Sequence, residues 1–278
     1  MRPSGSDRMN ILFVFPHPDD GAMNAGGAMA RWAAEGHRVT AVCCTGGGLG
    51  TLRTDRTSAA VVAQRAAELR AAHAILGVAE TLLLDFPDGS LREAGGLREA
   101  LVRCVRRFRP DRVITMDPWV RYEVHSDHIA AGHAAADAAA FAAFPLLFPQ
   151  HRSEGLAPHA VGEVWFMGLL GDRPNRFVDI DRYLDRKAEA LLKFEATFEI
   201  IDDMLRDVAP AGPEPAPEDA RGRTEAALRG LARRMGAAAG LAAAEAFIAL
   251  RCVPGHFTNL PDLYAQMLGE PRQPPVVE

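Results

Sequence analysis

Cysteine is scarce and unpatterned in this chain. The four residues stand as Cys43-Cys44, Cys104 and Cys252, and none falls into CxxC spacing. That excludes a disulfide framework and a cysteine-held metal, and leaves buried free thiols as the expectation. Long basic tracts are also missing, and the formal net charge is -5, so the electrostatic footprint of a nucleic-acid binder is absent. No apolar run approaches the roughly 20 residues of a membrane span. The segment Met1 to Asn10 lacks the apolar centre of a secretory signal. Nucleic acid and membrane are thereby set aside as partners, and the expected location is cytoplasmic.

What is present is a repeating strand and helix pattern. With 278 residues and 48% hydrophobic content, the chain can bury a large core, and it reads as one domain over 1–278. Ile11-Leu12-Phe13-Val14 has the character of a buried parallel strand. A helix follows over Gly26 to Gly36, where small residues permit close packing on a sheet. Arg38 to Cys43, Thr81 to Leu84 and Arg112 to Met116 are further strands, alternating with helices over Thr57 to Leu76, Leu97 to Phe108 and from about Asp127. This order predicts an α/β fold, a Rossmann-like three-layer sandwich with a mostly parallel central sheet. Beyond Pro145, strands are expected at Glu163 to Gly168 and Arg176 to Ile180, and a helix over Asp181 to Phe198. A proline-rich loop near 209–219 then leads into an irregular helical and strand extension over 220–278.

Two polar clusters follow two of these strands. His17-Pro18-Asp19-Asp20 comes directly after the first, and its two prolines stiffen the turn. His125-Ser126-Asp127-His128 comes after the fourth. Because ligands of open α/β sheets gather at the carboxyl ends of strands, both clusters map to one edge. His17, Asp20 and His128 then form a set of two nitrogens and one oxygen that leaves a coordination position for water, as in hydrolytic zinc sites. Asp19, between two ligands, is placed to take a proton from that water. Asp127 can orient one imidazole by accepting its other ring proton. His125 stays open on spacing alone, as a further ligand or as an acid beside the metal.

These motifs resemble the LmbE-like, or PIG-L, zinc-dependent deacetylases, whose HPDD turn and HPDH-type motif occur here in the same order. Thr45-Gly46-Gly47-Gly48-Leu49-Gly50-Thr51, Asp117-Pro118-Trp119, Tyr122-Glu123 and Phe177-Val178-Asp179-Ile180 resemble the diacetylchitobiose deacetylase branch, with weaker support at Pro254-Gly255-His256-Phe257. The resemblance implies removal of an N-acetyl group from an amino sugar or a metabolite containing one. It implies one Zn2+ per subunit on His17, Asp20 and His128, Asp19 as general base and His125 as acid or oxyanion partner. Arg65, in Arg65-Ala66-Ala67-Glu68, matches a substrate arginine, and Asp117, Trp119 and Tyr122 are implied at the substrate. A homo-oligomer acting on a small N-acetylated molecule is expected. Gly21 and Ser126 depart from the family pattern, where glutamate and proline are usual. An amidase of thiol-sugar conjugates or other N-acyl metabolites is the alternative. More distant is a nucleotide-binding Rossmann protein, suggested by the glycine-rich loop although P-loop and GxGxxG spacing are absent.

Overall fold

The computed structural model describes residues 8–167, 174–198, 200, 219–258 and 275–278. In strand β1 (Asn10–Phe15), Ile11, Phe13 and Phe15 enter one core while Leu12 and Val14 enter another, and all five are buried. A strand apolar on both faces needs cover on both. Helices α1 (Asp20–Ala34), α2 (Ser58–Leu76), α5 (Leu184–Leu191) and α6 (Ala220–Ala238) supply it on the Phe13 side. Helices α3 (Leu97–Phe108) and α4 (Ser126–Phe141) supply it on the Leu12 side. Truncating a fully buried ring such as Phe13 to alanine costs about 3–5 kcal/mol in sites of this kind.

The remaining strands are β2 (Arg38–Thr45), β3 (Glu80–Phe86), β4 (Arg112–Met116), β5 (Glu163–Met167), β6 (Arg176–Asp179), β7 (Ala244–Val253), β8 (His256–Thr258) and β9 (Val276–Val277). The sheet order is β3-β2-β1-β4-β5-β7-β6-β9, with β8 paired to β7. Strands β3 through β5 in that order run parallel, whereas β7 is antiparallel to both β5 and β6. The fold is thus the expected α/β sandwich with a mostly parallel sheet. Its connections leave β1 toward β2 on one side and toward β4 on the other, which makes the carboxyl end of β1 a topological switch point.

Several boundaries differ from the expectations. Helix α1 starts at Asp20, not near Gly26, and Gly26-Gly27 lies just past a kink where Ala25 adopts φ -145° and ψ 19°. A Cβ on Gly27 would come within 2.7 Å of Ile180, so the glycine permits the close approach. The kink frees the N–H groups of Gly27 and Ala28, which donate to the Glu245 carboxylate at 2.9 and 2.7 Å. Buried Lys187 pairs with the same carboxylate at 2.6 Å, so the buried charge is balanced. The helix expected over 181–198 is interrupted: a 3-10 turn (Asp181–Tyr183) precedes α5, which ends at Leu191 before a turn. Residues 209–218 of the expected proline-rich loop lie outside the described residues. Among those described, no helix is long and apolar enough to cross a membrane.

Candidate metal centre and active site

Four hydrogen bonds fix the turn after β1. The His17 N–H donates to Asp20 Oδ2 at 2.9 Å and the Asp20 N–H donates to the His17 carbonyl at 3.3 Å, so the turn is tied at both ends. From the neighbouring β2, the Thr45 N–H and hydroxyl both donate to the Pro16 carbonyl, at 2.9 and 3.0 Å. The turn is thereby anchored to the sheet. On the β4 side, His125 is the N-cap of α4, its Nδ1 accepting the Asp127 N–H at 3.3 Å. His128 follows one turn later, its ring stacked on that of His125 with centroids 4.5 Å apart and planes 5° apart.

These two segments meet. His17 Nδ1 lies 3.2 Å from Asp20 Oδ2, and His128 Nε2 lies 3.5 Å from Asp20 Oδ1. Nitrogen and oxygen ligands about 2.0–2.2 Å from a tetrahedral ion stand roughly 3.3–3.6 Å from one another. Each of the two separations is near that spacing, but they run to different oxygens of Asp20; the donor set of imidazole and carboxylate suits zinc. The compact group at this place is His17, His125 and His128, one ligand atom of each lying within 4.8 Å of the others. A second group, His17, Asp88 and Asp127, is equally compact, but its carboxylates already serve backbone donors. Asp127 accepts the N–H groups of Gly89 and Leu91 at 2.7 and 3.0 Å, and Asp88 accepts that of Leu49 at 2.8 Å. Those carboxylates are arranged to hold the far side of His17, whose Nε2 stands 3.1 Å from Asp88 and 3.4 Å from Asp127.

The electrostatics follow from this crowding. Burial disfavours a charged His17, yet hydrogen bonds to Asp127, Asp20 and Asp88 outweigh it and raise its pKa well above the ordinary value. Burial likewise opposes the charge of Asp20, but the charge of His128 and the hydrogen bond from His17 hold it at about 2. His125 goes the other way: burial, then repulsion from His17 and His128, push its pKa down. Because its Nδ1 accepts the Asp127 N–H, the hydrogen-bond pattern assigns the neutral proton to Nε2.

Asp19 occupies the N-cap position of α1 without making a capping bond. Its carboxylate turns instead to Arg65 Nη2, 2.5 Å from Oδ1, and to the Thr197 hydroxyl, 2.6 Å from Oδ2. Arg65 itself is buried, and its Nε has no hydrogen-bond partner among the described residues. The glycine-rich loop explains itself here. Gly47, at φ +65°, would place a Cβ 2.7 Å from Arg65 Nε, and a side chain on Gly50 would run into Arg65 Nη1. Gly47 and Gly50 thus make room for the guanidinium, while a Cβ on Gly46 or Gly48 would meet Val62 or Ser58 instead. Gly21 has a similar explanation, since a Cβ there would meet the Phe15 ring at 2.7 Å.

The other candidates are more peripheral. Asp117 is buried, and its side chain accepts the Trp119 N–H at 2.9 Å. Trp119 is 59% exposed and stands edge-on to His133 and Phe166. Tyr122 is 89% exposed and sits at φ +68°, on the turn that delivers Glu123. Sequence reading assigned no role to Glu123, although its carboxylate accepts the His125 N–H at 2.8 Å and faces His128 Nδ1 at 3.1 Å. Asp88 and Thr197 were missed as well. Asp88 carried one usable signal, a Pro-Asp-Gly turn at the carboxyl end of β3, the same edge as the two histidine motifs.

Residues 12–139 match the PIG-L family, described as GlcNAc-PI de-N-acetylase. A diacetylchitobiose deacetylase from Thermococcus kodakarensis is 32% identical over 209 residues, covering 73% of this chain and 78% of that relative. The chain belongs to the PIG-L family of LmbE-like deacetylases. A 1D-myo-inositol 2-acetamido-2-deoxy-alpha-D-glucopyranoside deacetylase from Streptomyces avermitilis is 38% identical over 167 residues, which span 50% of this chain and 56% of that relative. The solved N,N'-diacetylchitobiose deacetylase of Pyrococcus horikoshii shares the fold with a TM-score of 0.77 and 28% identity, covering 92% of this chain and 89% of its own. The PIG-L chain described here is accordingly a hydrolytic deacetylase, and its family is metal-dependent.

Proposed function

We propose that this protein removes the N-acetyl group of an amino sugar, or of a metabolite built on one, with one zinc ion held by His17, Asp20 and His128. The observation that carries the reading is Asp20, whose two oxygens face His17 and His128 at 3.2 and 3.5 Å on the edge where β1 and β4 end. The 32% identity to a diacetylchitobiose deacetylase supports an N-acetylated sugar as substrate. Zinc, when bound, polarises an acetamide carbonyl and makes water acidic near neutral pH. Asp19, aimed by Arg65 and Thr197, takes the proton of the attacking water and returns it to the departing amine. His125 donates its Nε2 proton to the developing oxyanion, an interaction stronger in the transition state than in the bound substrate. Neutral imidazole suffices for this, in keeping with the lowered pKa of His125. Asp127, Asp88 and Glu123 hold the ligand imidazoles in orientation.

Arg65 Nη2 is spoken for by Asp19, so a part of Arg65 in substrate binding falls to Nη1. Asp117, Trp119 and Tyr122 form the β4 side of the entrance, where Trp119 and Tyr122 offer exposed rings to a sugar face. We place the enzyme in the cytoplasm as a homo-oligomer, the latter supported by the exposed apolar side chains of Val124 and Leu146 and checked by light scattering. The deciding experiment is acetate release from N-acetylglucosamine and N,N'-diacetylchitobiose by the zinc-loaded protein. Asp19→Asn and His125→Ala should each lower kcat by roughly 10² or more with metal retained. No acetate from either sugar, with cleavage of a thiol-sugar amide instead, would overturn the substrate assignment.

A further inference from the structure

We infer that Thr197 is a positioning residue for the general base, a role that rests on the assignment of Asp19 proposed above. Asp19 begins a helix but is not held by it, since its side chain makes no capping bond. The torsion that swings a carboxylate about its Cβ–Cγ bond is broad and roughly two-fold, so one donor on one oxygen leaves the group free to rock. Two donors on opposite oxygens do not. Here Arg65 Nη2 reaches Oδ1 at 2.5 Å and the Thr197 hydroxyl reaches Oδ2 at 2.6 Å. The two donors come from different parts of the chain, one from α2 and one from the segment after α5.

That segment is itself braced. Thr197 is 3% exposed, its N–H donates to the Phe194 carbonyl at 3.2 Å, and the nearby Glu195 N–H donates to Glu68 Oε1 on α2 at 3.2 Å. Phe194 is fully buried in the core that also receives Phe15 and α1. The hydroxyl is therefore presented from packed surroundings, which is what a supporting donor needs if it is to fix a carboxylate within a fraction of an ångström. Arg65 alone supplies charge, and Thr197 supplies the second point that sets the plane. A hydroxyl also differs from a guanidinium in being able to accept as well as donate, so the contact survives when the carboxylate carries a proton.

The test compares Thr197→Val, which keeps the shape and loses the donor, with Thr197→Ser, which keeps the donor. Thr197→Ala removes the same donor and replaces the valine variant if that one fails to fold. In the zinc-loaded enzyme, loss of the donor should lower kcat about 10- to 100-fold, the scale of a misplaced catalytic group, with KM changed by less than about twofold. Metal content should stay at the wild-type level, and Thr197→Ser should recover most of the rate. Wild-type kcat in Thr197→Val beside an inactive Asp19→Asn would overturn the positioning role and leave Asp19 as base. Wild-type kcat in Asp19→Asn would overturn the assignment of Asp19 itself. Equal losses in the serine and valine variants, with lowered Tm in both, would reduce Thr197 to a packing residue.

Discussion

Asp127 Oδ2 stands 3.4 Å from His17 Nε2 while the same carboxylate accepts the N–H groups of Gly89 and Leu91. The contact joins the first residue of α1's leading turn to the second residue of α4. It also recruits the loop after β3, so three strand ends converge on one imidazole. With His17 as a zinc ligand, as proposed above, removing such a partner costs about 10- to 100-fold in metal affinity or activity. Asp127→Ala should therefore give up zinc to a chelator at a correspondingly lower chelator concentration than wild type, measured by competition titration.

Metal loading should release protons. Three carboxylates hold His17 protonated above its ordinary pKa in the metal-free protein, yet an imidazole ligand must be neutral. Calorimetric titration of the chelator-stripped protein with Zn2+ near pH 7, in buffers of different ionisation enthalpy, should show net release. The apparent affinity should rise with pH through the same range.

His73, packed on Phe15, gives a separate pH dependence outside the two histidine motifs. It is buried against Phe15 and shares a 2.6 Å hydrogen bond with Thr81, and burial lowers its pKa to about 4. The unfolded chain binds a proton there near pH 6.5, so this contribution is fully present above pH 6.5 and is lost as pH falls toward 4. The span corresponds to about 3 kcal/mol. Denaturant unfolding of His73→Leu should show a flatter loss of stability between pH 6.5 and 4 than wild type.

Gly50→Ala tests the loop that wraps Arg65. The added methyl collides with the guanidinium and displaces it from Asp19, while the loop's own backbone, with φ negative or extended at this position, tolerates alanine. We expect kcat/KM to fall at least about tenfold, with Tm lowered by loss of the buried pair. Gly36→Ala, at a positive φ with open space around it, should instead lower Tm slightly and leave kcat/KM alone.

The parallel half of the sheet was legible because each of its strands is an apolar run closed by a turn and followed by a periodic helix. The antiparallel insertion was not. Residues 220–278 read only as an irregular helical and strand extension, and it is the partners β5 and β6, far away in sequence, that make β7 a central strand. The start of α1 was misjudged because glycines at 26 and 27 look like a boundary, whereas they sit at an internal kink. In the site, the histidine motifs stood out since each is compact in sequence. Thr197 did not, and Asp88 had only its turn after β3 to mark it, because their partners are set beside them by folding: His17 is 71 positions from Asp88, and Asp19 is 178 from Thr197.

The clamp formed by Glu245 on α1 bears on how the chain is made. Gly27 and Ala28 wait for a carboxylate 218 and 217 residues later, and that carboxylate waits for Lys187. Emerging from a ribosome, the leading segment would collapse onto its neighbouring strands with the kinked helix still lacking its acceptor. Completion of the helix that begins beside His17 is thus deferred until β7 threads between β5 and β6, a late, long-range step of the kind that slows folding. A chain arrested before residue 244 would carry His17, Asp20 and His128 and still lack the carboxylate that braces α1.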